Sequence, residues 1–279
     1  MAEVGGFRIQ IEQNRESYMS QKMTPDYTPQ ELMVVCAARQ IQDGEVVFVG
    51  MRLPLIAFAL AKRTHAPNAI GLFENGLVRD TPSKELLLTM GDGPNIAGAE
   101  WATRTGALMG LLAQGFANLG FVGGAEVDRY GNLNTSYIGD RAHPKVKLPG
   151  SGGGADIASL SGRLAIILAH EKKRFPEHVS YITSPGYGDG GDWRTRVGLP
   201  RGGPAAVITT RAVLGFTEDT HEMELRTWHP GASANDVRAN TGWDLRVAPR
   251  RPRDAPAHQR RAAHHPRVRP PGLLDAVMS

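Results

Sequence analysis

The chain of 279 residues contains one cysteine, Cys36, so no disulfide can form within it. A lack of disulfides is typical of proteins from a reducing compartment. No apolar run approaches the roughly 18 residues that a membrane-spanning helix requires. The first 21 residues, MAEVGGFRIQIEQNRESYMSQ, also lack the apolar centre of a signal peptide. These absences predict a cytoplasmic protein that has no membrane partner.

The net positive charge comes entirely from the last part of the chain. Of the net charge of +4, residues 249–279 contribute seven arginines and two aspartates, a balance of +5, which leaves −1 for the other residues. No aromatic residue lies among these arginines, and no DNA-binding motif precedes them. A non-catalytic protein that contacts nucleic acid through this tail is therefore disfavoured. His258, His264 and His265 share the tail and do not predict a metal site.

Composition divides the chain into three parts. Residues 1–26 have no clear periodicity and are expected to form a flexible extension. Residues 27–248 contain the apolar segments of a single folded domain. Residues 249–279 are rich in arginine and proline and contain no lysine or glutamate. They carry too little apolar surface to offset the entropy of ordering, so disorder is expected there.

Helix and strand signals alternate along the central part. The clearest is at Thr28, which precedes Pro29 and Glu31 in a capping box. The order of strand, helix and strand that follows predicts parallel strands. The fold class is therefore α/β, with one open mixed sheet of six to eight strands flanked by helices. The predicted helices are 29–42, 55–65, 100–117 and 233–240, and the predicted strands are 45–49, 69–73, 121–128, 164–168, 179–183 and 206–209.

Glu74 is the first candidate for chemistry. In GLFENGLVRD (71–80) an apolar strand ends at Glu74, followed by Asn75 and Gly76. Ligands of open α/β sheets bind off the carboxyl ends of the strands, where a carboxylate can act as a nucleophile. Asn-Gly between apolar residues is also a strong hairpin signal, which favours a solvated turn residue. The segment alone leaves both interpretations open.

A glycine-rich loop is the second candidate. LPGSGGGAD (148–156) has four glycines in five positions, which let a ligand approach the backbone amides of Gly150, Gly152 and Gly153. Such amides can bind a phosphate or a developing oxyanion. The phosphate-loop and dinucleotide patterns do not fit this loop. A flexible surface loop is the alternative.

Two charged or polar segments have simpler interpretations. HEKKR (170–174) follows a predicted strand and is typical of a solvated face, with a contact to a ligand phosphate or a partner as the alternative. DRYGN (128–132) has turn chemistry and is interpreted as structural.

Phe73-Glu74-Asn75-Gly76 resembles the Ser-Glu-Asn-Gly signature of family I coenzyme A transferases. Gly150-Ser151-Gly152-Gly153 is similar to the glycine motif of the same β-type subunit. The resemblance covers about residues 27–248, and its fold is of the CoA-transferase (NagB/RpiA-like) type. Further matching blocks are VGMRLPLIAFALAKR (49–63), FVGGAEVDRYGNLNTSYIGDRAHPK (121–145), HEKKRF (170–175), YITSPG (181–186) and NTGWDL (240–245).

The resemblance implies catalysis by Glu74, with Gly150, Gly152 and Gly153 as the oxyanion or CoA-binding loop and Asn75 and Gly76 as motif neighbours. It implies ping-pong transfer of CoA between an acyl-CoA and a carboxylic acid through a glutamyl-CoA thioester. CoA is then a substrate, and no tightly bound cofactor or metal is required. The family also implies an A-type partner subunit, without which this chain is expected to be inactive.

The sequence departs from the family pattern in two places. Phe73 replaces the serine of the signature, so a polar contact from that position is absent. The acidic segment that usually closes such subunits is replaced by the arginine-rich tail, which indicates either a basic arm or, preferably, a reading-frame shift. Some relatives that lack the glutamate are acyl-CoA thioester hydrolases. Hydrolysis on the same fold is thus the alternative function, although Glu74 argues against it.

Overall fold

The computed structural model describes residues 27–85, 87–199 and 201–249. The predictions for residues 1–26 and for the arginine-rich tail lie outside these residues, apart from Pro249. No helix in the described ranges is long and apolar enough to cross a membrane.

The described residues contain seven α-helices, fourteen strands and a 3₁₀ turn at Lys172–Arg174. The helices are α1 (Pro29–Ala38), α2 (Leu53–Thr64), α3 (Gly93–Ile96), α4 (Thr105–Ala113), α5 (Gly154–Leu160), α6 (Trp193–Arg196) and α7 (Ala234–Ala239). The strands are β1 (Val46–Val49), β2 (Ile70–Phe73), β3 (Leu77–Arg79), β4 (Trp101–Ala102), β5 (Leu119–Gly123), β6 (Glu126–Val127), β7 (Leu133–Asn134), β8 (Tyr137–Gly139), β9 (Pro144–Lys147), β10 (Arg163–Leu168), β11 (Pro204–Thr209), β12 (Ala212–Phe216), β13 (Met223–Trp228) and β14 (Arg246–Val247).

One open sheet of ten strands organises the described part of the chain, in the order β14-β13-β12-β11-β10-β5-β1-β2-β3-β4. Its five central strands, β11, β10, β5, β1 and β2, are parallel. Antiparallel strands extend it on both sides, and β14 pairs parallel to β13. The mixed α/β sheet is confirmed, with more strands than the predicted six to eight. From β1 the chain continues to β2 on one side, and from β5 to β10 on the other, so these neighbours form a topological switch point.

Side chains of successive strand residues point to opposite faces of the sheet. Val47 and Val49 of β1 belong to the apolar cluster that contains α1 and α2. Phe48, between them, belongs to the cluster that contains α4, α5 and α7. The two clusters cover both faces of the central strands, which explains their continuous apolar sequences. The carboxyl edge of these strands therefore lies between two layers of helices.

The helix starts at Thr28 and Ser233 are well predicted. Thr28 accepts a hydrogen bond from the Glu31 N–H at 3.2 Å, and the Glu31 carboxylate accepts one from the Thr28 N–H at 2.7 Å. Ser233 and Asp236 form the corresponding box at the start of α7. Each box satisfies N–H groups that the first turn of a helix leaves without a partner.

Four predicted elements are wrong in extent or kind. The helix predicted at 29–42 ends at Ala38, and the strand predicted at 121–128 is divided between β5 and β6. The predicted helix at 100–117 is shorter, because Trp101 and Ala102 pair with β3 and α4 begins only at Thr105. Residues 179–183 do not form a strand. The segment crosses the surface, with Tyr181 and Ile182 exposed, and makes one isolated bridge through Ser184 to Leu133.

His170 differs from the solvated face predicted for residues 170–174. It is only 1% exposed and stacks on Phe175 with ring centroids 4.1 Å apart. Its Nδ1 and Nε2 lie 3.1 and 3.2 Å from the hydroxyls of Thr209 and Thr241. Burial, and then the positive charge of Arg211, lower the pKa of His170 from 6.5 to about 4. Lys172 and Lys173, in contrast, are exposed as predicted.

The buried imidazole should make the protein sensitive to mild acid. An unfolded chain binds a proton at His170 below about pH 6.5, whereas the folded chain binds it only below about pH 4. The contribution of neutral His170 is therefore complete above pH 6.5 and is lost as the pH falls to 4. We expect this residue alone to lower the free energy of unfolding by about 3 kcal/mol across that window. Urea titrations at pH 7, 5.5 and 4 measure this change in the free energy of unfolding.

A His170→Gln variant is the control, because glutamine keeps a polar side chain that does not titrate in this range. Its absolute stability is expected to fall, but the dependence of that stability on pH should be shallower than in the wild type. Equal pH slopes for both proteins would contradict the assignment of acid sensitivity to His170.

Candidate active site

Glu74 lies in the turn of the hairpin formed by β2 and β3. Phe73 pairs with Leu77 across the turn, and the Gly76 N–H donates to the Phe73 carbonyl at 2.9 Å. Gly76 has a φ of +100°, and a Cβ there would lie 2.2 Å from the carbonyl oxygen of Thr103. The hairpin interpretation of Asn75-Gly76 is thus confirmed, and glycine is required at its last position.

The hairpin nevertheless holds the Glu74 side chain against the protein. Glu74 is half-buried as a residue, and its Oε1 accepts a hydrogen bond of 3.0 Å from the N–H of Gly153. The alternation of side chains along β2 explains the direction of the Glu74 side chain. Leu72 packs on the face of the sheet that α4 and α5 cover, and Glu74 follows it two residues later, toward the same face. The turn residue and the glycine loop, 79 residues apart, therefore form one site.

The three candidate glycines of the loop differ in what their amides do. The Gly150 N–H donates to the Thr135 carbonyl at 2.7 Å, which anchors the loop, and the Gly153 N–H donates to Glu74. The Gly152 N–H has no hydrogen-bond partner in the described ranges. Gly150 and Gly152 also have φ values of +96° and +50°, which favour glycine. The loop thus presents one amide to Glu74 and leaves one open beside it.

Gly153 has no room for a side chain. An added Cβ would lie 3.0 Å from the Glu74 carboxyl carbon and 2.7 Å from Cε of Met109. Its φ of −78° and ψ of 2° are ordinary turn angles, so the requirement for glycine comes from the close approach to Glu74 and Met109. Met109, on α4, is a site neighbour that no sequence motif indicates.

Asn75 and Gly76 shape the turn. Asn75 is exposed, and its Nδ2 donates to the Met90 carbonyl at 2.8 Å. Nδ2 of Asn95 donates to the same carbonyl at 2.6 Å. Gly76 accepts a hydrogen bond from the Thr103 N–H at 2.8 Å. These bonds fix the turn against residues 90–103 and so hold the backbone of Glu74 in place.

Two further residues at this edge were missed by the sequence interpretation. Ser184 is buried, its Oγ has no partner among the described residues, and it lies 3.2 Å from where a Cβ on Gly154 would be. Arg52, in the loop after β1, has a φ of +63°. An unusual backbone angle is not encoded by any motif in the sequence, so only the structure could reveal it.

The site offers acyl-transfer chemistry. A carboxylate at the end of a parallel strand can attack an activated carbonyl, and a nearby amide can stabilise the resulting oxyanion. Across the three described ranges, no group of three or more His, Cys, Asp or Glu side chains is arranged to hold a metal ion. The fold and the site together define an α/β protein with a glutamate side chain and a backbone-amide loop in contact at the carboxyl edge of its sheet.

Comparison with known proteins identifies the family. The model of the coenzyme A transferase family matches residues 30–240, and this chain belongs to that family. The chain is 40% identical over 223 residues to the B subunit of 3-oxoadipate CoA-transferase from Pseudomonas knackmussii, covering 80% of this chain and 85% of that protein. It is 39% identical over 229 residues to the B subunit of glutaconate CoA-transferase from Acidaminococcus fermentans, with the same coverage.

The structural comparison agrees. The crystal structure of glutaconate CoA-transferase from Acidaminococcus fermentans matches with a TM-score of 0.76 and 38% identity, covering 80% of this chain and 87% of that chain. The likeness of the sequence blocks to the β-type subunit of a CoA-transferase is thereby confirmed, as is the predicted fold.

Proposed function

We propose that this chain is the B subunit of a CoA-transferase that moves CoA between an acyl-CoA and a carboxylic acid through a glutamyl-CoA thioester on Glu74. The observation that carries the proposal is the 3.0 Å hydrogen bond from the Gly153 amide to the Glu74 carboxylate. It supports the proposal because it joins the Glu74 carboxylate to a backbone donor at the carboxyl edge of the sheet, within a chain of the matching family.

The reaction proceeds in four steps at one carboxylate. Glu74 attacks the thioester carbonyl, and the C–S bond breaks to give an acyl-glutamyl anhydride and CoA thiolate. The thiolate attacks the Glu74 carbonyl, releasing the first carboxylic acid and forming the glutamyl-CoA thioester. A second carboxylate attacks this thioester to form a new anhydride and thiolate. The thiolate then attacks the acyl carbonyl, which yields the new acyl-CoA and restores Glu74.

The glycine loop has two roles in these steps. The Gly153 amide orients the resting carboxylate, and its bond must weaken as that oxygen becomes acylated. The Gly152 amide supports the oxyanion of the tetrahedral intermediates, since it is the open donor beside Glu74. One donor of this type typically contributes about 3 kcal/mol to transition-state stabilisation.

The partner and the substrates follow from the relatives. Both relatives are named as B subunits, so we propose an A-type subunit as the partner. We also propose that the complex lies in the cytoplasm. 3-Oxoadipate and glutaconate are dicarboxylic acids, which supports an acyl group that carries a second carboxylate. Each intermediate conserves the energy of the thioester, so CoA acts as a substrate and neither ATP nor a tightly bound cofactor is needed.

Transfer and hydrolysis differ in what happens to the thioester. The experiment uses the chain purified with its A-type subunit and supplied with an acyl-CoA and free acetate. Formation of acetyl-CoA without net release of CoA thiol is expected. Borohydride added after the acyl-CoA should reduce the enzyme thioester to an alcohol on the peptide that contains Glu74. Release of one thiol per acyl-CoA consumed, with no acetyl-CoA, would instead establish the hydrolase.

A further inference from the structure

Arg52 has a backbone conformation that arginine rarely adopts. Among the described residues, only Arg52 and His221 are non-glycine residues with a positive φ. At Arg52, φ is +63° and ψ is −116°, which mirrors the first central residue of a type II turn. Glycine, asparagine and aspartate dominate that position. An arginine with its Cβ there is strained, and such strain clusters at functional sites.

Arg52 lies at the edge of the sheet that carries Glu74. Val49 of β1 pairs in register with Phe73 of β2, so Gly50 and Glu74 follow paired residues on strands about 4.8 Å apart. On its other side, Gly50 is so near β5 that an added Cβ would lie 2.7 Å from the Phe121 carbonyl oxygen. The loop from Gly50 to Arg52 thus occupies the switch point between β1 and β5, where ligands of such sheets bind.

The guanidinium of Arg52 is not used by the fold. Its side chain is exposed and makes no hydrogen bond or ion pair within the described part of the chain. Arg79, Arg163 and Arg194, in contrast, are held by carbonyl or carboxylate oxygens. Because no contact inside the chain explains a strained arginine here, its use is to be sought in a ligand.

We propose that Arg52 determines substrate specificity by binding the carboxylate of the acyl group that is remote from the thioester. This inference rests on the proposed function and adds the residue that recognises the substrate. Guanidinium binds carboxylate through two parallel hydrogen bonds. A group a few bonds from the reacting carbonyl lies near Glu74, and Arg52 is in the loop that follows the strand paired with the strand of Glu74. The phosphates of CoA are separated from that carbonyl by the whole pantetheine arm, so the acyl carboxylate is the better match.

The test compares acyl groups of equal length, glutaryl-CoA with valeryl-CoA, in the complete complex. Arg52→Gly is expected to raise KM and lower kcat/KM for glutaryl-CoA by about 10- to 100-fold, the usual effect of losing a hydrogen bond to a charged group. Its kcat/KM for valeryl-CoA should stay within about threefold of wild type. The melting temperature should not fall, because glycine relieves the backbone strain. Arg52→Lys should retain part of the wild-type preference for glutaryl-CoA over valeryl-CoA.

Binding of free glutarate and valerate, measured by calorimetry, separates this inference from the proposed function. A wild-type complex that binds glutarate more tightly than valerate, with the difference lost in Arg52→Gly, supports the inference even if no transfer is observed. Arg141→Gly is the control, because Arg141 is also an exposed arginine in a loop and lies outside the candidate site. Equal losses for both acyl groups, or a preference for glutarate that survives Arg52→Gly, would overturn the inference.

Discussion

Replacing Glu74 with glutamine should abolish CoA transfer, lowering kcat on the order of 10⁴-fold or more, as loss of a catalytic nucleophile generally does. The amide retains an oxygen that can accept the hydrogen bond from the Gly153 N–H, so the fold and the association with the A-type subunit should be unchanged. The amide is not a nucleophile toward a thioester. The measurements are exchange between an acyl-CoA and a free acid, and trapping with borohydride.

Two further variants sharpen this result. Glu74→Asp retains the carboxylate but withdraws it by one methylene, and a displacement of about 1 Å costs roughly 100-fold. Activity should therefore rank wild type, then aspartate, then glutamine. Glu100→Gln removes the same charge from an exposed side chain and should leave exchange intact. Exchange by Glu74→Gln at near the wild-type rate would remove Glu74 from the mechanism.

The site shows why the two sequence interpretations of Glu74 did not exclude each other. The Asn-Gly signal predicts the hairpin, and the strand order places Glu74 at the carboxyl edge, and both are present in the structure. The local sequence could not show that the Gly153 amide reaches back to this turn, because that contact joins residues 79 apart. The resemblance to a family connected the two motifs, whereas periodicity alone could not.

Tertiary packing, which local sequence does not show, accounts for errors in the predicted elements outside the site. The segment 179–183 has residues typical of strands, yet its neighbours provide only an isolated bridge, so local propensity was overridden by the surroundings. The strand β13 was missed because its polar residues obscure the apolar ones. Glu224 is buried and forms an ion pair of 2.7 Å with Arg226. His170 was assigned to a charged face because the stacking on Phe175 depends on tertiary packing.

Gly153→Ala should reduce turnover on the order of 100-fold while leaving the protein folded. The new Cβ would lie 3.0 Å from the Glu74 carboxyl carbon and 2.7 Å from Cε of Met109. Met109 has a flexible side chain that can move away, whereas Glu74 must leave its position on the Gly153 amide. A displacement of about 1 Å of a reacting group is enough for a loss of this size. The backbone angles of Gly153 suit alanine, so little destabilisation is expected from strain.

The comparison of Gly153→Ala with Gly106→Ala separates positioning from packing. Gly106 is in α4, the helix of Met109, and nothing lies within 4 Å of an added Cβ. The same substitution there should keep full turnover and stabilise the helix by about 0.5–1 kcal/mol. Adding Met109→Ala to Gly153→Ala removes the contact with the Met109 side chain but not the contact with Glu74, so turnover should stay low. Recovery of turnover in the double variant, or a fall in melting temperature in proportion to the lost activity, would show that the glycine serves packing alone.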